Sequence, residues 1–269
     1  MSKVRTAISY LKYFFRAQTK HDIHSPFVFN LLTTVIQNNE LYYLYGPIEK
    51  LRNELLNDPA EVQVADLGAG SVVLKTSTRK ISDIARHSLK PAKFGQLLFR
   101  LVNHFKPNTI LELGTSLGIT TLYMAMANSQ TRVVSIEGSE TIAQYARRNF
   151  EKLGIKNIQL TVGNFDDVLQ SQLNGLNQLD GSASLTASLV FFDGNHRKEP
   201  TLRYFEQCLQ YANNNSVFVF DDIHWSEDME QAWECIKKHE RVTLTIDLFF
   251  IGIVFFRKEQ VKEHFVVRF

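Results

Sequence analysis

Short apolar runs alternate with segments of helical periodicity through most of the chain. Five runs rich in Val, Ile, Leu and Phe have the length and composition of buried strands, and the segments between them place apolar residues at helical spacing. We predict strands at 109–113, 132–137, 157–162, 188–193 and 216–221, and helices near 119–128, 139–153, 166–174, 199–212 and 226–239. Repeated βα units indicate an α/β fold with a parallel sheet and right-handed crossovers.

The two ends of the chain depart from this alternation. After the last predicted helix, residues 242–249 and 253–257 are two β-rich runs a few residues apart, which predicts an antiparallel hairpin. Residues 1 to about 60 have helical spacing, and Ser25 and Pro26 are suited to open a helix there. We therefore expect an N-terminal arm with a basic segment at 1–90 and an α/β domain at 91–269.

The basic segment follows Asp66, Gly68 and Gly70, an acid and glycines that imitate a cofactor-binding turn. The sequence after them lacks the apolar helix that such a turn should precede, so we predict a solvated, mobile, lid-like segment over 71–93. An exposed loop without a role is the alternative. The charged residues of the segment 71–93 are Lys75, Arg79, Lys80, Asp83, Arg86, Lys90 and Lys93.

Composition narrows the cellular setting. The 269 residues are 44% hydrophobic and 22% charged, which suits one α/β domain with an appendage. The formal net charge of +2 makes no general case for a membrane or nucleic-acid partner. With two cysteines, no signal-peptide pattern and no apolar run of about 20 residues, we expect a cytoplasmic protein.

The strongest chemical signal is the strand, glycine turn and helix over 109–128. Gly114 and Gly118 allow a sharp turn close to a ligand, and the N–H groups that open the next helix can face an anion. Their four-residue spacing behind Glu112 differs from the dinucleotide fingerprint G-x-G-x-x-G. Strand 132–137 ends in Glu137, about 20 residues on, where an acid takes ribose hydroxyls. A tight turn that binds nothing is the alternative.

Carboxylates also follow two later strands. Asp193 follows one strand, and Asp221 and Asp222 close the next. Neighbouring strand ends would bring these like charges together, where a cation or a proton must offset their repulsion. Mg²⁺ would suit carboxylate and water ligands. Alternatively, the acids only bind a cofactor amine or cap helices.

From about Lys90 to Lys258 the chain resembles the class I S-adenosylmethionine-dependent methyltransferases, especially the catechol and caffeoyl-coenzyme A O-methyltransferases and related small-molecule enzymes with an Asp-Gly-x-His motif, here residues 193–196. The resemblance implies a Rossmann-like, doubly wound, mostly parallel sheet with a C-terminal antiparallel hairpin. It implies cofactor-binding roles for Glu112, Gly114, Thr115, Ser116, Gly118, Thr120, Glu137, Gly138, Asn164, Phe165 and Asp193, and metal-binding roles for Asp193, Asp221 and Asp222.

This sequence departs from the family pattern at two of those positions. The third metal ligand is usually asparagine and here is Asp222, and the lysine that serves as base is replaced by His196. We therefore expect His196 and Asp193 to be the catalytic residues, since histidine is a suitable general base near neutral pH.

The leading hypothesis is methyl transfer from S-adenosylmethionine to a hydroxyl of a small-molecule acceptor, with a divalent cation such as Mg²⁺ lowering the hydroxyl pKa. A non-catalytic S-adenosylmethionine-binding partner protein and an RNA methyltransferase are alternatives. A metal-dependent oxygenase that uses His196, His224 and an aspartate fits poorly, because βα alternation is not its usual scaffold. A homodimer through the N-terminal helices is left open.

Overall fold

The computed structural model describes residues 3–66, 75–179 and 188–269. The chain divides into two compact units, Met1–Asn38 with Leu173–Phe269, and Asn39–Gln172. The boundary that we expect at residue 90 stays a prediction. Within the described residues, no helix combines the length and apolar character needed to cross a membrane.

The unit Asn39–Gln172 carries a parallel sheet with helices on it. Its strand order is β3-β4-β5, with Thr109 opposite Arg132 and Val133 opposite Ile158. The elements are α3 (Tyr45–Leu56), β1 (Glu61–Asp66), β2 (Lys75–Lys80), α4 (Ile81–Ser88), α5 (Ala92–Phe105), β3 (Thr109–Leu113), α6 (Ile119–Ala127), β4 (Arg132–Glu137), α7 (Glu140–Lys152) and β5 (Ile158–Val162), and α8 (Phe165–Leu179) begins here.

The other unit contains both ends of the chain. Its strand order is β10-β8-β9-β7-β6; β6 and β7 are parallel, β9 is antiparallel to β7 and β8, and β10 is parallel to β8. The elements are α1 (Lys3–Arg16), a 3₁₀ turn (Lys20–Asp22), α2 (Pro26–Leu31), a π-helical turn (Leu32–Ile36), β6 (Ser188–Phe192), α9 (Lys198–Leu209), β7 (Val217–Asp221), α10 (Glu227–Lys238), β8 (Leu244–Asp247), β9 (Ile251–Phe255) and β10 (Glu263–Val266).

The fold class expected from the sequence is confirmed. Every predicted strand and helix of the βα region is present, and the β8–β9 hairpin is antiparallel. Two of these helices have serine N-caps: the Ser139 and Ser226 hydroxyls accept from the backbone N–H groups of Ile142 and Met229. All residues of β6 and β7 are buried, which explains their uninterrupted apolar sequences.

The expectation of a solvated segment over 71–93 is wrong for its second part. Residues 75–80 pair with 61–66 along their whole length, and α4 follows at once with Ile81 and Ala85 buried against α3 and α6. Arg79 and Arg86 are exposed, so these two cations lie on the outer face of the segment. Their charge makes its apolar inner face hard to recognise in the sequence. The imitation turn at 67–74 lies outside the described residues.

A buried carboxyl group fixes the geometry of the first βα turn. Glu112, in β3, is fully buried, and its Oε2 accepts hydrogen bonds from the hydroxyls of Thr121 in α6 and Ser135 in β4, both at 2.5 Å. Thr115, in the turn, is 2.5 Å from Ser135 through the two hydroxyl oxygens. Burial raises the pKa of Glu112 to about 7; the two hydroxyl donors lower it, and the charge of Glu137 raises it.

This raised pKa predicts a pH-dependent cost in stability. The folded state holds the Glu112 proton more tightly than the unfolded chain, so stability falls as pH rises from the ordinary pKa of 4.5 to about 7 and is level above it. Glu112→Gln cannot ionise. Between pH 5 and pH 8, the unfolding free energy of the variant relative to wild type should therefore shift in its favour by on the order of 2 kcal/mol.

Denaturant unfolding at both pH values measures this shift, and Glu151→Gln makes the same chemical change at an exposed position. An equal shift in both variants would contradict a special role for burial at Glu112.

Candidate functional site

The turn from β3 to α6 leaves no room for a side chain at its last glycine. Gly118 has φ +81°, and a Cβ there would lie 2.5 Å from the Phe150 ring. Gly114 has φ +110°, and Ser116 also adopts a left-handed backbone at φ +48°. The Leu122 N–H already donates to Gly118 O at 2.9 Å, so α6 begins immediately and the N–H groups of its first turn face out of the helix end.

Glu137 is held directly against this turn. Its Oε2 accepts from the Ser116 N–H at 2.8 Å and its Oε1 from the Ser139 N–H at 3.0 Å. Burial raises the pKa of Glu137, and the N–H donors of Ser139, Ser116 and Gly138 lower it. The structure thus brings together the turn and the acid that were paired from spacing alone. Three N–H donors leave one of the four carboxylate lone pairs for a further donor such as a ribose hydroxyl.

Two further predicted cofactor-binding residues, Asn164 and Phe165, follow the end of the next strand, β5. Gly163 N–H donates to Glu137 O at 2.9 Å, which places Asn164 and Phe165 beside the end of β4. The Asn164 side chain is exposed, and its Oδ1 accepts from the Asp166 N–H at the start of α8. Phe165 is half-buried, so one part of its ring is accessible.

One contact of the turn was missed by sequence reasoning. The Ser116 hydroxyl donates to the hydroxyl of Ser88, the last residue of α4, at 3.0 Å. Ser88 lies 28 residues earlier, in the basic segment, and no motif marks it. The end of α4 therefore reaches the cofactor turn even though the segment is not the solvated loop that we expected.

A second group of site residues forms where β6 and β7 end. Phe192 and Phe220 are opposite each other in the register, with stacked rings 4.3 Å apart, so the next residues along, Asp193 and Asp221, are also neighbours. Asp193, His196 and Asp221 each offer one ligand atom, and these atoms all lie within 4.8 Å of one another. His196 Nε2 is 3.7 Å from Asp193 Oδ1. Asp221 is buried, and the other two are half-buried.

The loop after β6 places the histidine. Asn195 has a left-handed backbone at φ +67°, and its side-chain amide donates to the Tyr204 hydroxyl at 3.1 Å. This anchored turn brings His196 back towards Asp193, three residues earlier. Asn and Gly are the residues that tolerate such a backbone best.

Asp222 is not part of the converging group found among the described residues. It follows β7 with φ +54°, and its carbonyl accepts from the Trp225 N–H at 2.9 Å. The structure thus brings two of the three predicted metal ligands together and adds His196 in place of the third. The role of Asp222 as a ligand stays a prediction.

His224 is engaged away from this group, which leaves the oxygenase triad unassembled. Its Nε2 lies 2.8 Å from Asp247 Oδ2, its Nδ1 lies 3.4 Å from Glu230 Oε1, and its ring stacks on Phe249. Burial lowers the pKa of His224, but the two carboxylates outweigh burial, and the net pKa is raised.

Known proteins resemble this chain over the region that contains both groups of candidate residues. Residues 111–223 match a family described as a methyltransferase domain. A catechol O-methyltransferase of Niastella koreensis is 29% identical over 133 residues, 49% of this chain and 55% of that protein. A probable O-methyltransferase of Mycobacterium tuberculosis is 33% identical over 132 residues, which are 48% of this chain and 55% of that protein. The chain thus spans about half the length of these relatives.

Solved structures support the same fold. An O-methyltransferase of Streptomyces achromogenes in complex with S-adenosylmethionine has a TM-score of 0.52 at 21% identity, with 65% of this chain and 86% of that chain covered. A Bacillus cereus O-methyltransferase in complex with S-adenosylhomocysteine has a TM-score of 0.51 at 21% identity, covering 84% and 94%. Residues 111–223 are thus similar to a methyltransferase domain, and the chain resembles the class I S-adenosylmethionine-dependent O-methyltransferases.

Proposed function

We propose that this protein transfers a methyl group from S-adenosylmethionine to a hydroxyl oxygen of a small molecule in the cytoplasm. The observation that carries the proposal is the Glu137 carboxylate, held at the glycine turn by the Ser116 N–H. The relatives named as O-methyltransferases, and the solved neighbours in complex with the methyl donor or its product, support the same assignment. The free thiols of Cys208 and Cys235 are in keeping with a reducing compartment.

The cofactor roles follow from the chemistry of each group at the turn. Glu137 binds the ribose hydroxyls, and the first N–H groups of α6 with the half-buried Thr120 bind the methionine carboxylate. Gly118 fits this purpose because a Cβ there would collide with Phe150. The backbone that surrounds the cofactor is formed by Gly114, Thr115, Ser116 and Gly138. The adenine is contacted by Asn164 and Phe165. Glu112 stabilises the turn through a chain of hydrogen bonds that runs from its carboxyl group to the Ser135 hydroxyl and on to the Thr115 hydroxyl.

On the acceptor side, His196 takes the proton that the hydroxyl loses as its oxygen attacks the methyl group. Asp193 Oδ1 lies 3.7 Å from His196 Nε2 and faces the imidazole that takes this proton. Methyl transfer is an in-line displacement, so holding the acceptor oxygen in line with the sulfonium methyl contributes much of the rate. Asp193 also serves the cofactor amine in this proposal.

A divalent cation fits the group at the ends of β6 and β7. Asp193 and Asp221 would hold it, with His196 or Asp222 as a third ligand, and it would polarise the acceptor hydroxyl. Two carboxylates and an imidazole suit Mn²⁺, Co²⁺ or Zn²⁺ better than Mg²⁺, which prefers oxygen ligands. The sequence led us to expect Mg²⁺. The imidazole nitrogen of His196 adds these transition metals to the candidates.

Removal of the ribose-binding acid should weaken cofactor binding. Glu137→Ala is expected to reduce the affinity for S-adenosylhomocysteine by about 1.5–3 kcal/mol, the range for hydrogen bonds to a charged group. Titration calorimetry measures this change in a variant shown by circular dichroism to be folded. Glu140→Ala, three residues on at an exposed position of α7, should bind as wild type. Unchanged affinity in folded Glu137→Ala would remove Glu137 from the cofactor site.

Divalent cations should stabilise the folded protein. Mn²⁺ at a hundredfold excess over its Kd should raise the free energy of unfolding by about 2.7 kcal/mol, because only the folded state assembles the ligands. Asp221→Asn should abolish the gain, and Asp228→Asn, an exposed acid on α10, should retain it. If EDTA changes neither the melting temperature nor methyl transfer, the cation proposal is wrong and the methyltransferase proposal stands.

The same titration separates the two roles of His196. If His196 acts only as a base, His196→Ala should lose methyl transfer and keep the stabilisation by Mn²⁺. Loss of that stabilisation together with activity would instead make His196 a cation ligand. Asp222→Asn tests the third predicted ligand in the same way.

A further inference from the structure

Helix α1 presents its apolar stripe to solvent. Ile8, Leu11 and Phe15 lie on one face at helical spacing, and their side chains are 48%, 54% and 82% exposed. Phe14, beside them, is 38% exposed and meets Phe15 edge to face. An amphipathic helix of a globular domain normally turns such a stripe towards the core, so this face needs a partner.

The opposite face of α1 is fixed to its own unit, which excludes a simple rotation of the helix. The Tyr13 hydroxyl donates to Val267 O at 2.5 Å, and Ser9 donates to Glu230 Oε1 at 3.0 Å. Arg5 forms ion pairs with Glu230 and Glu227. The stripe is therefore held outward by contacts on the other side of the helix.

The charge around the stripe is positive. Lys12 and Arg16 are exposed on α1, and Arg268, from the C-terminal end of the chain, places its guanidinium 4.3 Å from the centre of the Phe14 ring. The sequence of α1 contains no acid. The nearest acid along the chain is Asp22, which is held by the N–H and hydroxyl of Thr19.

We propose that this face, Ile8, Leu11, Phe14 and Phe15 with Lys12, Arg16 and Arg268, docks on an anionic lipid surface. Apolar side chains on one face with cations at its border are what interfacial helices use, the former entering the headgroup region and the latter meeting lipid phosphates. Two-fold pairing of α1 with a second copy would instead bring the cations of both copies to one seam without an acid on either helix.

The overall net charge of +2 does not predict a membrane partner, because the acids elsewhere in the chain offset the local positive charge of this face. The proposed contact lies in the membrane plane and is independent of the methyl-transfer proposal.

Vesicle sedimentation with the full chain tests the proposal. Binding is expected to vesicles that contain phosphatidylglycerol and not to phosphatidylcholine alone, and it should weaken severalfold when salt rises from about 0.1 to about 0.5 M. Leu11→Ser with Phe15→Ser, and Lys12→Glu with Arg16→Glu, should each reduce the affinity by about tenfold or more. Because these side chains are exposed, the melting temperature should not change.

The matched control changes two exposed apolar residues outside α1. Leu41→Ser with Tyr43→Ser, at side chains 88% and 86% exposed, should bind vesicles as wild type. Equal binding to both kinds of vesicle, no binding to either, or equal loss in the control would overturn the proposal. So would a dimer in sedimentation velocity that Phe15→Ser dissociates, since that result would assign the face to a second copy.

Discussion

The arrangement of the turn between β3 and α6 depends on keeping one carboxyl group, that of Glu112, out of water. Glu112 is tolerated inside the unit because hydroxyls from α6 and β4 reach the same oxygen, Oε2. Those two bonds fix the start of α6 and the middle of β4 relative to β3. The connection between β3 and α6 must then be short, which requires the left-handed backbone of Gly118. With the turn so placed, the Ser116 N–H donates to Glu137, whose position is therefore a consequence of the packing around Glu112.

The helices that precede β3 are built onto the same turn. Gly95, in α5, lies so close to Tyr123 in α6 that a Cβ would come within 2.3 Å of its ring, and the Tyr123 hydroxyl donates to Glu49 of α3 at 2.7 Å. One cluster contains buried residues from each of α3, α4, α6 and α7. Residues before 91 are thus part of the support of the cofactor turn, and Ser88 contacts it directly.

Sequence reasoning was accurate where burial and covalent spacing act together. Strands buried on both faces give uninterrupted apolar runs, and a carboxylate at such a strand end is conspicuous, which is why the sequence points to Glu137 and Asp193 as candidates. It failed for the β1–β2 pair, whose strands are rich in polar residues, and for β10, which is only partly buried. The approach of His196 to Asp221 depends on the left-handed Asn195, a backbone choice that no residue pattern specifies.

The pair Glu112 and Glu137 gives the turn a charge-dependent preference that follows from its construction. Burial raises both pKa values, and the charge of Glu137 raises that of Glu112 further, so ionising both in the absence of a cation is unfavourable. A cation bound beside these two carboxyl groups would lower both pKa values, so by linkage its affinity would increase as the pH rises.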